Sequence, residues 1–277
     1  MPPAVPVNHP LSASTQLCIS LAARPGNFGT RFHNFLYAEL GLDYVYKAFT
    51  TTDLTAAIGG VRALGIRGCA VSMPYKEACV ALVDELDTSA AVIGSVNTVV
   101  NTLGVLRAYN TDYLAVQQLI AEHGLDPQWR VALRGSGGMA RAVACALRDA
   151  GFARGTVVAR SETAGRALAG QCGYGWSSGL SGPAELLVNV TPIGMVGGPE
   201  EQQLAFAPEA IARAQAVFDV VARPAETPLI VAARQAGKQV VTGAEVSVRQ
   251  ALEQFVLYTG VRPNLQQVQA AADWAAE

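Results

Sequence analysis

The sequence predicts an α/β protein of two units with parallel sheets and helices on their faces. Two observations carry that reading. Short apolar runs alternate with segments of helical spacing, and the alternation restarts after Pro127. At the head of the second series a glycine-rich turn, GSGG at 135–138, stands between one such run and one such segment.

The first series opens with LCISLAA (17–23), a buried strand. RPGNFGTRFHN (24–34) follows as a loop leading into a helix over 31–40. Glycines, an asparagine and arginines between strand and helix favour an anion, because free N–H groups at a helix start attract negative charge. YVYKAFT (44–50) reads as a strand and DLTAAIGGVRAL (53–64) as a helix capped by Asp53. GCAVSM (68–73) is a strand, and YKEACVALVDEL (75–86) is expected as a helix starting just after Pro74. Residues 95–110 read as a hairpin turning at Leu103-Gly104, and TDYLAVQQLIAEHG (111–124) as a helix bridging the two series.

The second series starts with RVALRG (130–135), a strand, then the glycine turn and the helix MARAVACALRDAG. Further strands are expected at 155–160, 185–191, 216–222 and 238–243, with helices near 162–170 and over 228–237. The last long helix is expected over 244–260. This organisation predicts one domain from 1–110 with 241–277 and another from 111–240.

The 277 residues are 51% apolar and carry a net charge of −2. Such a chain can bury large cores, and its near-neutral balance argues against nucleic-acid binding. No apolar stretch is long enough for a membrane span. The start, MPPAVPVNHP, lacks the basic residues of a secretory signal. A cytoplasmic location is therefore expected. Five cysteines lie mostly in apolar runs without a C-x-x-C pair and read as reduced core residues. His9, His33 and His123 are too scattered for a zinc site, so no metal is expected.

Four segments carry chemistry. Gly135 allows a tight turn and Gly137 lets backbone approach a pyrophosphate. Small residues as far as Ala142 let the helix pack on the sheet. With Ser136, Gly138, Met139 and Ala140 they form a candidate dinucleotide cradle. The next strand ends in Ala159-Arg160-Ser161, where an NAD site usually carries an acidic residue. A guanidinium and a hydroxyl suit a 2′-phosphate, so NADP is expected ahead of NAD. Glu162 lies close, and a solvated Arg160 is the plainer reading.

In GCAVSMPYKEACV, Lys76 falls at the start of the expected helix, at a strand's carboxyl end, where open α/β sheets place ligands. The positive end of that helix would depress the lysine pKa from about 10.4 and suit it to acid–base work. A surface lysine paired with Glu77 fits the position equally well. Asn110, Thr111 and Asp112 are three capping-type residues where one suffices; they read either as a plain helix N-cap or as a cap with a carboxylate to spare for Lys76. In VNVTPIGM (188–195), Thr191 and Pro192 either wall a nicotinamide or simply turn the chain.

Taken in order, these segments resemble the shikimate dehydrogenase family. Val71 to Lys76 matches V-T-x-P-x-K, Val96-Asn97-Thr98 matches V-N-T, and Asn110-Thr111-Asp112 matches N-T-D. Gly135 to Ala142 matches G-x-G-G-x-x-x-A, Asn189 to Met195 matches N-x-T-P-x-G-M, and Asp219 to Leu229 carries the spaced D…T-P-L. Gly243 to Gln250 and Phe255 to Gly260 complete the pattern. The resemblance implies an N-terminal α/β substrate domain with a Rossmann-type NADP domain. It implies hydride transfer that interconverts 3-dehydroshikimate and shikimate. Lys76 would move the proton of the reacting hydroxyl and Asp112 would hold it. Ser72, Asn97 and Gln250 would bind ring hydroxyls, and Gly243 would border the cofactor.

The departures point to one branch. Asn27 and Gly29 stand where the family has the S-x-S that grips the substrate carboxylate, with Thr30 adjacent. Ala222 replaces an expected tyrosine, and Arg134 replaces an apolar residue before the glycine turn. The chain therefore resembles the shikimate dehydrogenase-like branch, which shares a loop of the type RPGNFGTxFHN. Losing two hydrogen bonds to a carboxylate, at roughly 1.5–3 kcal/mol each, would weaken transition-state binding by about a hundredfold or more. Weak activity on shikimate, or a related cyclic hydroxy acid such as quinate or an amino analogue, is expected. Loop N–H groups, the Asn27 amide, Arg24 and Arg31 are the candidate replacements. A non-catalytic ring-metabolite or NADP-binding regulator is the alternative. A methylenetetrahydrofolate dehydrogenase on a related plan is a third reading, against which N-T-D speaks. The oligomeric state stays open between monomer and homodimer.

Overall fold

A computed structural model describes residues 10–180 and 182–276; His9 lies outside them. The chain divides into two compact units. One runs to Thr111 and resumes at Gln250, and the other is Asp112–Arg249.

In chain order the first unit contains β1 (Gln16–Leu21), α1 (Phe28–Glu39), β2 (Tyr44–Phe49), α2 (Leu54–Ala63) and β3 (Gly68–Val71). A 3-10 helix (Ala78–Leu82) follows, then β4 (Glu85–Leu86), α3 (Thr88–Ile93), β5 (Thr98–Thr102) and β6 (Val105–Tyr109). Strand order is β2-β1-β3-β5-β6-β4. The sheet is mixed rather than parallel. β1 pairs parallel with β2 and β3, but β5 runs antiparallel to both β3 and β6. The hairpin reverses the chain here. Leu103 and Gly104 have φ of 53° and 87°, the left-handed pair that a tight two-residue hairpin turn requires. Asp53 caps α2 by accepting from Ala56 N. Ile58 and Val61 of α2 pack with Ile19, Leu21, Cys69, Val71, Val99 and Leu106 to make the core under the sheet.

Two expectations fail in this unit. α1 starts at Phe28 and not at residue 31, so Phe28 to Thr30 belong to its first turn and not to the preceding loop. Residues 75–86 do not form one helix. A turn leads to the short 3-10 helix, and Val83 is extended before β4. The cause is a contact distant in sequence. The Asp84 carboxylate accepts Leu106 N at 2.7 Å and takes both arms of the Arg62 guanidinium, which draws the chain to the sheet edge.

The second unit begins one residue into α4 (Thr111–Glu122) and contains β7 (Val131–Arg134), α5 (Gly138–Asp149), β8 (Gly155–Val158), α6 (Glu162–Cys172) and β9 (Gly175–Ser177). It continues with β10 (Leu186–Asn189), α7 (Pro208–Arg213), β11 (Ala216–Asp219), α8 (Pro228–Gln235) and β12 (Gln239–Val241). Its sheet is all parallel, in the order β12-β11-β10-β7-β8-β9. Strand succession reverses between β7 and β10, so a crevice opens beyond their carboxyl ends.

The boundary between the units falls within α9 (Gly243–Thr259), after which α10 (Leu265–Ala276) adds a helix that the sequence reading did not place. A reciprocal capping box starts α9: Glu245 N donates to Thr242 Oγ1, and Thr242 N donates to the Glu245 carboxylate at 2.8 Å. No described helix is long and apolar enough to cross a membrane.

Candidate functional site

In the first unit β1 and β3 end side by side. Ser72 N donates to the Leu21 carbonyl, and Ala23 N to that of Met73. The exposed Ser72 accepts Tyr75 N on its own carbonyl, closing the turn that carries Lys76. The Tyr75 hydroxyl anchors that turn on the Thr51 carbonyl at 2.6 Å. Lys76 thus stands in a turn ahead of a five-residue 3-10 helix, and the α-helix dipole expected behind it is not built.

The Lys76 carbonyl accepts Val96 N at 2.9 Å, next to Asn97. Asn97 is 1% exposed. Its Oδ1 accepts three hydrogen bonds, from Thr98 Oγ1 at 2.8 Å, Thr111 N at 2.7 Å and Thr111 Oγ1 at 3.1 Å. Its Nδ2 is buried with no hydrogen-bond partner. Asn110 Nδ2 donates to the Ser95 carbonyl. The three capping-type residues therefore divide their work. Asn110 and Thr111 lock the chain to residues 95–97, and Asp112 enters the first turn of α4 almost fully buried. Lys76, Asn97 and the residue preceding Asp112 share one bonded frame.

Gln254, absent from the sequence reading, braces that frame. Its Nε2 donates to the Asn97 carbonyl at 3.3 Å and to Thr98 Oγ1 at 3.0 Å. The half-buried Gln250 lies one turn earlier on the same face of α9.

At the start of α1, Asn27 occupies the cap position but makes no side-chain cap, and the first helical bond is Arg31 N to the Asn27 carbonyl. The amides of Phe28, Gly29 and Thr30 begin the helix without that cap. Asn27 is exposed, and Gly29 and Thr30 are half-buried. Behind them His33, fully buried, stacks on Tyr46 with ring centroids 4.5 Å apart. Burial pushes its imidazole pKa down to about 3, so this ring stays neutral.

In the second unit Gly135 has φ of 126°, and a Cβ there would press on Val190 Cγ2 at 2.8 Å. Gly137 is the extended cap residue of α5, with no side-chain cap and nothing within 4 Å of its missing Cβ. The first helical bond runs from Arg141 N to the Gly137 carbonyl. That leaves the amides of Gly138, Met139 and Ala140 at an open helix start, with Ser136 beside them, which fits a pyrophosphate. Beyond β8, Ser161 Oγ accepts Ala164 N as the cap of α6, and Glu162 is held by Arg166 at 2.7 Å. Arg160 is exposed and pairs with no described carboxylate.

Thr191 and Pro192 sit on a buried polar lattice. Thr191 donates through N and Oγ1 to Asn189 Oδ1, and Asn189 Nδ2 donates to Asp219 Oδ1 at 3.0 Å. Thr227 Oγ1 and Val221 N also donate to Asp219. Asp219 is fully buried, and that burial pushes its carboxyl pKa up. None of these three supports was singled out as a site residue. A D…T pair at strand end and helix cap, eight residues apart, was the available signal. Gly243 opens α9 against the Val221 backbone, where a Cβ would overlap the Val221 carbonyl group.

The sequence matches the shikimate dehydrogenase substrate binding domain over residues 28–99. The chain is 53% identical to a shikimate dehydrogenase-like protein of Haemophilus influenzae, over 96% of this chain and 98% of that one. It is 36% identical to a shikimate dehydrogenase (NADP(+)) of Moorella thermoacetica, over 90% of each. Shikimate 5-dehydrogenase from Thermus thermophilus, solved in complex with NADP(H) and shikimate, shares the fold with a TM-score of 0.83. That pair is 29% identical, covering 94% of this chain and 99% of that one.

Proposed function

Since the chain belongs to the shikimate dehydrogenase family, we propose that it is an NADP-dependent oxidoreductase of shikimate or a related cyclic hydroxy acid, such as quinate or an amino analogue. The observation that carries this reading is the buried, unpartnered Nδ2 of Asn97 on the frame shared with Lys76. An orphaned buried donor is costly, and a ring oxygen would satisfy it.

The first unit receives the ring acid and the second the cofactor. Lys76 transfers the proton of the reacting hydroxyl, and Asp112 binds beside that hydroxyl and holds the lysine. Asn97, Ser72 and Gln250 bind the other ring oxygens. The ring carboxylate meets Asn27, Gly29, Thr30 and the first amides of α1 in place of serine hydroxyls, and shikimate itself turns over weakly. Residues Gly135 to Ala140 hold the pyrophosphate, Thr191 and Pro192 wall the nicotinamide, Gly243 borders the cofactor, and Arg160 with Ser161 receives the 2′-phosphate. The bound nicotinamide supplies or accepts the hydride.

A steady-state screen of ring hydroxy acids against NADP+ and NAD+ tests this. At least one acid should yield NADPH, faster than shikimate does. If no ring acid is oxidised with either coenzyme, the assignment is wrong. Arg160→Ala should raise the KM for NADP+ by about 10- to 100-fold, the equivalent of one charge-assisted hydrogen bond, and leave the KM for NAD+ unchanged.

A further inference from the structure

Arg134 has no part in the chemistry above, yet it is the least explained side chain of the second unit. It ends β7 on the same sheet face as Ala132, which packs with Leu187, Val217, Phe206 and Ile211. Its guanidinium lies 5.2 Å from the Phe206 ring centroid. Its Nε is buried with no hydrogen-bond partner. Burial pushes its pKa down, opposed only by the field of Glu200. Among the described residues no carboxylate forms an ion pair with it.

A partly buried guanidinium with an unbonded Nε and no carboxylate in ion-pair contact is unfavourable, and an anion in contact would answer it. A cavity of about 370 Å³ adjoins it, lined also by Pro183, Phe206, Glu209, Ala210 and Arg213. That volume suits a small molecule. Arg213, exposed at the end of α7, likewise pairs with no described carboxylate. The cavity so combines two unpaired guanidinia, an aromatic wall, small apolar residues and one carboxylate.

We propose that this cavity binds a small organic monocarboxylate, its charge answered by Arg134 and Arg213 and its apolar body laid against Phe206 and Ala210. Glu209 in the lining and the field of Glu200 set the preference. They oppose a doubly charged phosphate more than a single carboxylate. The site lies wholly within the second unit and makes use of none of the residues assigned to substrate or cofactor.

The test is thermal unfolding of the full chain in sodium benzoate, in inorganic phosphate and in sodium chloride of matched ionic strength. Benzoate should raise Tm with concentration, beyond the chloride control and beyond phosphate. Arg134→Leu should abolish that rise, and Arg213→Ala should shift its midpoint at least about tenfold upward. Thr30→Val, at the candidate substrate end, should keep it. Arg213 is exposed, so its variant reports even if Arg134→Leu does not fold. A benzoate effect no larger than that of chloride overturns the proposal. So does one that survives both Arg134→Leu and Arg213→Ala.

Discussion

Lys76→Ala should lower turnover of any ring acid that the protein oxidises by ~10²–10⁴-fold, the usual contribution of a positioned acid–base group. Tm and nucleotide affinity should stay unchanged. The separation follows from where the residue sits. Its backbone is held by Val96, and its turn by Tyr75 on Thr51, and both contacts survive truncation of the side chain. Asp112→Asn should cause a loss of similar order if, as proposed, its charge serves the same proton transfer. The double variant should lose little more than either single one, because groups that act as a unit are not additive. Steady-state rates beside dye-free thermal scans give both readouts. Turnover within tenfold of the intact protein in Lys76→Ala would remove the lysine from the chemistry.

Gly243→Ala should act on the fold instead. The added Cβ meets main-chain atoms of Val220 and Val221 at the end of β11, and main chain cannot rotate away as a side chain can. Overpacking against it is expected to cost about 2–3 kcal/mol, which lowers Tm by about 4–12 °C. Gly137→Ala is the matched control. Nothing lies within 4 Å of its missing Cβ, so Tm should hold while the KM for the cofactor rises as the methyl group fills the cradle. A Tm for Gly243→Ala equal to that of the intact protein would mean that Val221 yields at no cost. The role of this glycine would then lie with the cofactor alone.

Where local chemistry dictates structure, the sequence was legible. The Gly135 turn, the Asp53 cap and the Leu103-Gly104 hairpin each follow from backbone preferences of a few neighbouring residues. Residues 75–86 were not legible, because Asp84 answers to Arg62 and Leu106, each 22 positions away. The start of α1 had a signal, a capping-type Asn27 just before Phe28, but the glycines at 26 and 29 on either side read as loop, and the Asn27 side chain makes no cap. In the site, the residue types at Lys76, Asn97 and Asp112 were visible as a spaced pattern. The unequal use of the two ends of the Asn97 amide was not, since it depends on Thr111 arriving from 14 positions on. Gln254 had a faint signal, a glutamine within the apolar run ALEQFVLY of a buried helix.

The bond from Thr111 N to Asn97 Oδ1 also has a kinetic signature. Amides at a helix start have no carbonyl of their own helix to bind, and they ordinarily trade their hydrogens with water quickly. Thr111 is fully buried, and its amide ends at 2.7 Å on a side-chain oxygen. Its deuterium uptake should therefore be slow, paced by opening of the whole first unit and not by fraying of α4. One peptide spanning Asn110 to Asp112 then acts as a clock for the integrity of the frame beside Lys76.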